Sequence, residues 1–430
     1  MPLFPLLLSN FIGTLGFSIV LPFLVFLVIG FGGNSIVYGI LAAIYPAFQL
    51  VGSPILGKWS DTQGRKKVLL LSNGGTLAGW IIFLFALVLP VSNPYSINSV
   101  FFGAFTISLP LVVLFFARAL DGITGGNVSV ANAYLADVST DENRSKNFGK
   151  MSISSNLGFI IGPALAGILG GTVYKEILPV LAAVAISSIA LFVTGFALKE
   201  SRPTTAATVD ADIQVSEKKN ISKVFSFECK ECYKTPNPTN IKFKDIFSLK
   251  HIPFLLVLYF FIFLGFNIYY TAFPIHAVSG LKWSLADLGI FYSVLGGVMI
   301  LVQGPVLQRG LKILSEEKLV IIGSVTLGLN FALFMANNTT LVYVALILFA
   351  LGNGLMWPSF MSILSKRAGS AHQGVVQGVA SSIGSLASII GLVIGGLLYN
   401  SIGSSTFLVS AIVIFMVFTL SFRLPKMGID

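Results

Sequence analysis

The chain has 430 residues, of which 55% are hydrophobic and 10% are charged, and its mean hydropathy is +0.88. A water-soluble domain of this composition would aggregate, so soluble enzymes and nucleic-acid-binding domains are excluded. The formal net charge is +10, and in a membrane protein such an excess marks the side on which the loops lie and the anionic lipid that they meet.

The sequence predicts an all-α membrane protein with twelve transmembrane helices, because twelve apolar runs come near the roughly 20 residues that cross the hydrocarbon layer. In the first half the runs are 3–29, 36–57, 67–90, 110–136, 148–171 and 178–198. In the second half they are 252–275, 286–306, 318–336, 341–364, 372–399 and 404–423. An even number of spans places both termini on the same face of the membrane.

The positive charges identify that face. Arg118 lies inside an apolar run and Lys175 and Lys282 lie on one set of loops, whereas the other 24 of the 27 Lys and Arg residues lie on the alternating loops and the chain end. Such asymmetry is typical of the cytoplasmic side. We therefore expect a multi-pass protein of the cell inner (plasma) membrane with both termini cytoplasmic.

The polar middle of the chain predicts a cytoplasmic linker at 199–250 between two six-helix bundles, 1–198 and 251–430. Cys229 and Cys232 lie in it, and without a second ligand pair a zinc site is disfavoured against two free loop thiols. The connection at 91–109 is unusually long and apolar enough to lie against the bilayer, and it has no functional interpretation.

The two halves resemble each other, which indicates an internal repeat. Ile160-Ile-Gly162-Pro163 is echoed by Ile389-Ile-Gly391-Leu392 at an offset of 229 positions, and Phe116-Ala-Arg118 is echoed loosely by Phe349-Ala-Leu351. Repeats of this kind build transporters in which two bundles rock about a site near the midplane.

Three motifs stand in order on the predicted helices. The loop Gly57-x-x-x-Asp61-x-x-Gly64-Arg65-Lys66-Lys67 resembles the signature loop of the major facilitator superfamily, and Arg118-x-x-x-Gly122 resembles its second motif. Gly158-x-x-x-Gly162-Pro163-x-x-x-Gly167 resembles the motif of its drug:proton antiporters. Further segments resemble the tetracycline-exporter branch, namely Tyr38-Gly-Ile-Leu41, Gln49, Pro54-Ile-Leu-Gly57 and Ala133-Tyr-Leu-Ala-Asp137. The resemblance implies a monomeric secondary transporter that needs the proton gradient and no cofactor or metal.

The signature loop is expected to act as a conformational latch on the cytoplasmic side. Gly57 and Gly64 allow tight turning, Asp61 would gain from the dipole of another helix N-terminus, and Arg65 needs an acidic partner, for which we predict Asp137. The alternative is a static loop that only sets topology.

Glycines of the fifth run are expected to let another helix approach closely, because Gly158, Gly162 and Gly167 lie on nearly one face. Pro163 removes one main-chain hydrogen bond and predicts a bend. Its counterpart Leu392 lacks that bend, so the two halves are not equivalent.

Arg118 and Asp121 are the only ionisable residues well inside an apolar run. Burying either in hydrocarbon costs roughly 2.5–3.5 kcal/mol, so both should face a polar cavity, and three residues apart they share a helix face. Asp121 is the candidate for proton coupling. A permanently ionised structural pair is an equal alternative.

Polar residues that interrupt apolar runs predict the lining of a substrate cavity. Asn10, Thr14 and Ser18 form a stripe at helical spacing on the first run. The others are Gln49, Asn127, Asn156, Asn267, Tyr270, Gln303, Asn330, Asn353 and Trp357. Amid 37 Phe residues they predict an apolar cavity suited to an amphipathic solute, although helix packing is the commoner role for any one of them.

The sequence departs from the tetracycline exporters at two places. Those exporters have a carboxylate where this sequence has Gly13, and they have ionisable residues in the eighth and ninth helices that are missing here. Tetracycline itself is therefore disfavoured as substrate.

Two functional hypotheses follow. The first is a proton-coupled exporter, and the alternative is an importer or facilitator of a nutrient, metabolite or lipid. The three histidines, His251, His276 and His372, lie at loop or helix ends, and no nucleotide-binding or catalytic pattern supports an enzyme or an ATP-driven pump.

Overall fold

The computed structural model describes residues 3–92, 95–99, 102–125, 127–139, 141–201, 248–336 and 338–426. Predictions for Cys229, Cys232 and most of the linker lie outside them. The helices of the first half are α1 (Phe4–Ser18), α2 (Leu24–Gly30), α3 (Ser35–Gln63), α4 (Arg65–Val88), α5 (Leu109–Thr124), α6 (Asn127–Val138), α7 (Asp141–Gly170) and α8 (Ile177–Phe196). Those of the second half are α9 (Ile252–Ser279), α10 (Leu285–Leu301), α11 (Leu307–Ile313), α12 (Glu316–Leu333), α13 (Thr339–Ile402) and α14 (Thr406–Ser421).

Each of the twelve apolar runs falls on helical residues, but three runs are not single α-helices. The first run is divided between α1 and α2, and the fourth between α5 and α6. The eighth continues from α10 into a π-helical segment, Val302–Val306, around Pro305, because proline cannot donate the α-helical hydrogen bond. The tenth and eleventh runs share α13, since no proline interrupts the residues between them.

Eight helical stretches of the described chain are long and apolar enough to cross a membrane. They cover nine of the twelve predicted runs, because the eleventh and twelfth fall within one stretch, Val376–Lys426. The other three runs are missing from this set for local reasons. The first and fourth are broken into shorter helices, and α12 begins with Glu316, Glu317 and Lys318, which lower its apolar content. The architecture is an all-α membrane fold of two pseudo-symmetric six-helix bundles.

A β-hairpin is the one departure from all-helical structure in the described residues. Strands β1 (Tyr95–Ser99) and β2 (Gly103–Ile107) pair antiparallel within the long apolar connection 91–109. The amide of Thr106 donates to Gly32 O (2.8 Å), and Asn34 Nδ2 donates to Phe102 O (2.7 Å). These bonds anchor the hairpin over the α2–α3 connection. We call this end of the molecule the hairpin end and the opposite end the Gly64 end.

The two halves meet at the hairpin end through pairs of glycines. A Cβ on Gly167 (α7) would lie 2.5 Å from Cα of Gly289 (α10), and a Cβ on Gly39 (α3) would lie 3.2 Å from Cα of Gly396 (α13). Glycine permits this backbone contact because it has no side chain. Gly167 and Gly396 are 229 positions apart, which is the offset of the sequence repeat.

Candidate functional site

The buried ion pair of α5 is the centre of the site. Arg118 and Asp121 are 4% and 7% exposed, and Nη1 of Arg118 lies 3.5 Å from Oδ2 of Asp121. At three residues' spacing both side chains leave the same side of the helix. The predicted pairing of Arg118 with Asp121 is present. Because the distance between Nη1 and Oδ2 is long for a hydrogen bond, this contact uses little of the hydrogen-bonding capacity of the guanidinium.

Aromatic rings cover the rest of the guanidinium. Its carbon lies 4.9 Å from the ring centroid of Tyr45 and 5.9 Å from that of Phe17, which are cation–π distances. Nε of Arg118 has no hydrogen-bond partner among the described residues. The site therefore presents a buried cation against aromatic faces, beside one carboxylate.

The break between α5 and α6 supplies polar backbone next to this pair. Gln49 of α3 donates through Nε2 to Gly125 O at 2.9 Å and to the hydroxyl of Tyr45 at 3.3 Å. Apart from the glycines Gly125 and Gly126, no residue pattern predicts a break here. Non-helical backbone at membrane depth is tolerated where it is buried in protein or lines a cavity.

At the Gly64 end the structure brings Arg65 and Asp137 together. Nε of Arg65 lies 3.1 Å from Oδ2 of Asp137, and the two side chains are 10% and 6% exposed. Gly64 has φ +95°, a conformation that strongly favours glycine. The side chain of Asp61 lies outside what the structure describes, whereas Gly57 accepts a hydrogen bond from Ser60 at 2.6 Å.

Glu200 is a member of this cluster that sequence reasoning missed. Its Oε1 accepts from the amide of Arg65 at 2.8 Å, and its Oε2 accepts from the amide of Lys66 at 3.2 Å. It caps α4 from a distance of 135 residues, so neither local spacing nor a capping box could reveal it. Ser201 donates to Asp137 at 3.2 Å, and Tyr134 donates to Lys199 O at 2.6 Å.

These contacts tie the end of the first half to α4 and α6. The Arg65–Asp137 pair lies wholly within the first half, so by itself it does not join the two bundles. We call Gly64, Arg65, Asp137 and Glu200 the brace.

The expectation that Gly158, Gly162 and Gly167 share one face is wrong. Gly158 and Gly162 contact α1, since a Cβ on Gly158 would lie 2.8 Å from Phe11 O and one on Gly162 2.9 Å from Ile19 N, whereas Gly167 contacts α10. A spacing of five residues turns an α-helix by roughly 140° from the preceding glycine. The helix α7 runs through Pro163 to Gly170.

The polar stripe of α1 faces α7. Asn10 donates to Ser155 Oγ at 2.8 Å and Ser18 donates to Gly158 O at 2.8 Å, while Thr14 donates to Asn10 O of its own helix. These bonds hold two helices together. Asn267 makes the equivalent contact in the second half, donating to Ser388 Oγ of α13 at 3.0 Å.

The other predicted cavity residues are dispersed. Asn156 is exposed, Gln303 and Asn353 are half-buried, and Tyr270 is 37% exposed. Trp357 packs on Tyr259 and Phe263, with ring centroids 5.5 and 5.4 Å apart. Asn330 is fully buried with both amide atoms unpaired in the described chain, and the side chain of Asn127 is outside the described set. Their assignment to a substrate cavity stays a prediction.

A family comparison decides the identity of the fold. The model of the Major Facilitator Superfamily matches residues 6–392 and, again, 311–427. The chain belongs to the Major Facilitator Superfamily. It is therefore a membrane-embedded transporter of small molecules.

Several relatives of this transporter are bacterial resistance proteins. It is 30% identical over 395 residues to the class E tetracycline resistance protein of Escherichia coli, covering 91% of this chain and 86% of the relative. It is 27% identical over 405 residues to multidrug resistance protein 2 of Bacillus subtilis, covering 93% and 89%.

Solved structures share its architecture. A human organic anion transporter superposes with a TM-score of 0.63 at 18% identity, covering 98% of this chain and all of the other. A D-xylose–proton symporter gives 0.73 at 12% identity, covering 98% and 96%. At these identities the comparison concerns the fold alone.

The transporter has a cavity of about 260 Å³ between its halves at the hairpin end. The walls come from α2 and α3 on one side and α9 and α13 on the other, with Tyr38, Ser279, Tyr399 and Asn400 among the lining residues. Tyr38, which is 5% exposed, belongs to the wall formed by the first half. The cavity is therefore lined by residues of both halves.

Proposed function

We propose that the transporter exports a small amphipathic compound in exchange for protons, by alternating access. The observation that carries this proposal is the buried Arg118–Asp121 pair, which puts one titratable carboxylate beside one cation inside the membrane-spanning part of the chain. The names of the tetracycline and multidrug resistance relatives support export. Import of a nutrient, metabolite or lipid is the less favoured function.

The coupling step follows from charge. With Asp121 ionised the pair is neutral overall, and with Asp121 protonated a net positive charge remains on Arg118. A change of one charge in a low-dielectric site alters the stability of any arrangement that buries it. Proton entry can thereby bias which end of the molecule is open.

The surroundings of Arg118 indicate the kind of substrate. The rings of Phe17 and Tyr45 offer flat apolar surface, and Gln49 and the guanidinium offer hydrogen bonds. An amphipathic molecule with an aromatic or otherwise planar part fits this combination. Gly13 leaves the first helix without a carboxylate, so a strongly cationic drug has only Asp121 to pair with.

The proposal also includes the bundle boundaries, the membrane orientation and the oligomeric state expected from the sequence. We place bundles at 1–198 and 251–430 with a linker at 199–250, both termini on the cytoplasmic side of the plasma membrane, and a monomer as the working unit. The Gly64 end is then cytoplasmic and the hairpin end external. Asp61 is proposed to reach the second bundle, which would make the brace part of a latch between the halves.

The test uses purified full-length protein in proteoliposomes with an imposed pH gradient, with ethidium and tetracycline as probes. Proton-coupled export predicts uphill probe movement that stops when a protonophore collapses the gradient, together with proton movement in the opposite direction. Probe movement of equal rate with and without the gradient would instead support a facilitator.

A further inference from the structure

His276 lies in the last turn of α9, as expected for a helix end. Its side chain is 1% exposed. The ring of Phe407, on α14, stands nearly perpendicular to the imidazole at 5.3 Å. An imidazole is the side chain whose charge most readily changes near neutral pH, and this one is buried among residues of the second half.

A chain of hydrogen bonds leads from His276 toward the cavity at the hairpin end. Nδ1 lies 3.2 Å from the hydroxyl of Tyr399, that hydroxyl lies 3.2 Å from Ser279 Oγ, and Ser279 donates to Ile275 O at 2.7 Å. With a proton on Nδ1 the bonds run in one direction, from Nδ1–H to Tyr399 to Ser279 to Ile275 O. Nε2 makes no hydrogen bond to the described residues, so it is the ring nitrogen left to take up an added proton.

Tyr399 and Ser279 line the cavity of about 260 Å³ that separates α9 and α13 from α2 and α3. Above it lies the hairpin, whose Gly103 is next to the side chains of Asn34 and Asn400, one from each half. No Asp, Glu, Lys or Arg is among the cavity's described lining residues. Tyr399 is therefore reached from this cavity through uncharged lining residues.

The groups that face the imidazole from the described elements are uncharged. They are Tyr399 of α13, Phe407 of α14, Ser279 of its own helix and the backbone of Ala336 beyond α12. A charged imidazole in such surroundings is disfavoured unless water reaches it. Separation of the halves at this end would open the cavity beside Tyr399, the partner of His276, to water.

We propose that His276 is a proton-binding site loaded from the hairpin side, and that its proton favours separation of the two halves at that end. The linkage is thermodynamic, because a proton that binds the separated arrangement more tightly shifts the population toward it. The proposal rests on the proposed proton coupling. It adds a proton-binding group in the second half, whereas Asp121 lies in the first.

The test measures opening directly and needs no substrate. Cys229 and Cys232 are replaced by Ser, and spin labels are placed at Val173 and Ser401, exposed positions at the hairpin end of opposite halves. The distance between the labels is recorded in proteoliposomes between about pH 5.5 and 8, the range in which imidazole titrates. Acidification is expected to enrich the longer distance, and His276→Gln is expected to lose this shift.

Controls separate His276 from other sites. His251→Asn should keep the pH-dependent shift, and Tyr399→Phe, which preserves the ring, should weaken it because the hydroxyl that contacts Nδ1 is lost. Persistence of the full shift in folded His276→Gln overturns the proposal, as does its absence in the unsubstituted protein. Gradient-driven transport of ethidium by the same preparations reports on the proposed function separately.

Discussion

Arg118 and Asp121 place a cation and an anion inside the membrane-spanning part of the chain. Burying either charge there costs free energy, so membrane helices ordinarily avoid both. Their separation of 3.5 Å gives a weak hydrogen bond, so aromatic contacts with Phe17 and Tyr45 carry part of the stabilisation of the guanidinium. A pair held this loosely can exchange partners. That property suits a site where a proton or a substrate group competes for one of the members.

Replacing Asp121 by Asn removes the titratable group and leaves Arg118 charged. We expect probe accumulation by the pH gradient to be lost while exchange of labelled for unlabelled probe persists, because exchange does not need net proton movement. Both are measured in proteoliposomes. Asp287→Asn is the matched control, since that carboxylate caps α10 at an exposed position, and unchanged coupling in Asp121→Asn would exclude Asp121 as the coupling residue.

Arg65→Ala tests the brace. It leaves the buried carboxylate of Asp137 without its cation, and breaking a buried pair from one side costs roughly 3–5 kcal/mol. We expect a lower thermal midpoint in detergent and slower turnover with probe binding largely retained.

The second half offers a matched pair for comparison. Lys366 lies 2.8 Å from Glu316, and its side chain is 64% exposed. An exposed pair contributes about 0–1 kcal/mol, so Lys366→Ala should change the midpoint little. Equal losses for Arg65→Ala and Lys366→Ala would contradict the role given to burial.

At the scale of elements, α4 depends on a residue beyond α8 for its beginning. Its N-cap, Gly64, offers no side chain, and Glu200 supplies the acceptor for the amides of Arg65 and Lys66. A carboxylate at a helix N-terminus is favoured both as a cap and by the helix dipole. The start of the linker is thereby fixed to the brace.

Glu200→Gln keeps the size of the side chain and removes its charge. Because the amide oxygen of Gln can still accept one of the two bonds, we expect a loss of roughly 0.3–1 kcal/mol, the range for a charge at a helix terminus, seen as a lower thermal midpoint. Glu176→Gln is the control, because Glu176 occupies the N-cap position of α8 and makes no capping bond through its side chain. A midpoint unchanged in Glu200→Gln would show that the negative charge does not stabilise this terminus.

The existence of the helices could be predicted from apolar runs, but their interruptions could not. The breaks between α1 and α2 and between α5 and α6 occur in runs that are apolar on both sides, where periodicity carries no signal. The hairpin at 95–107 was missed because its residues alternate weakly and its anchors, Gly32 and Asn34, come from another loop.

The candidate site was likewise predictable from the sequence only in part. The partnership of Arg65 with Asp137 was predictable, since a buried cation needs an anion at its depth, and it is confirmed by a contact of 3.1 Å. Glu200 and His276 were not predictable, because their roles depend on contacts more than 100 positions apart in sequence. The face of Gly167 was mispredicted for a simpler reason, its five-residue spacing from Gly162.

For the whole molecule, the arrangement of the two halves depends on the glycine contacts at the hairpin end. Gly289→Ala would put a Cβ into the backbone of Gly167. Overlap with backbone cannot be relieved by a rotamer change, so α7 and α10 must separate. We expect the longer label distance between Val173 and Ser401 to be enriched at every pH.

Gly297→Ala, on the same helix, is the matched control, because nothing lies within 4 Å of a Cβ at that position. It should leave the distances unchanged. If Gly289→Ala also leaves them unchanged, the glycine contact does not hold the halves together.

The same two glycine contacts have a consequence for leakage. A transporter driven by an ion gradient must not let the ion leak through it when no substrate is being transported. Where helices meet through bare backbone, no side-chain rotamers fluctuate to open transient crevices. The contacts of α3 with α13 and of α7 with α10 would therefore limit the leakage of ions between the halves at the hairpin end. The same close backbone packing would keep lipid tails out of the interior.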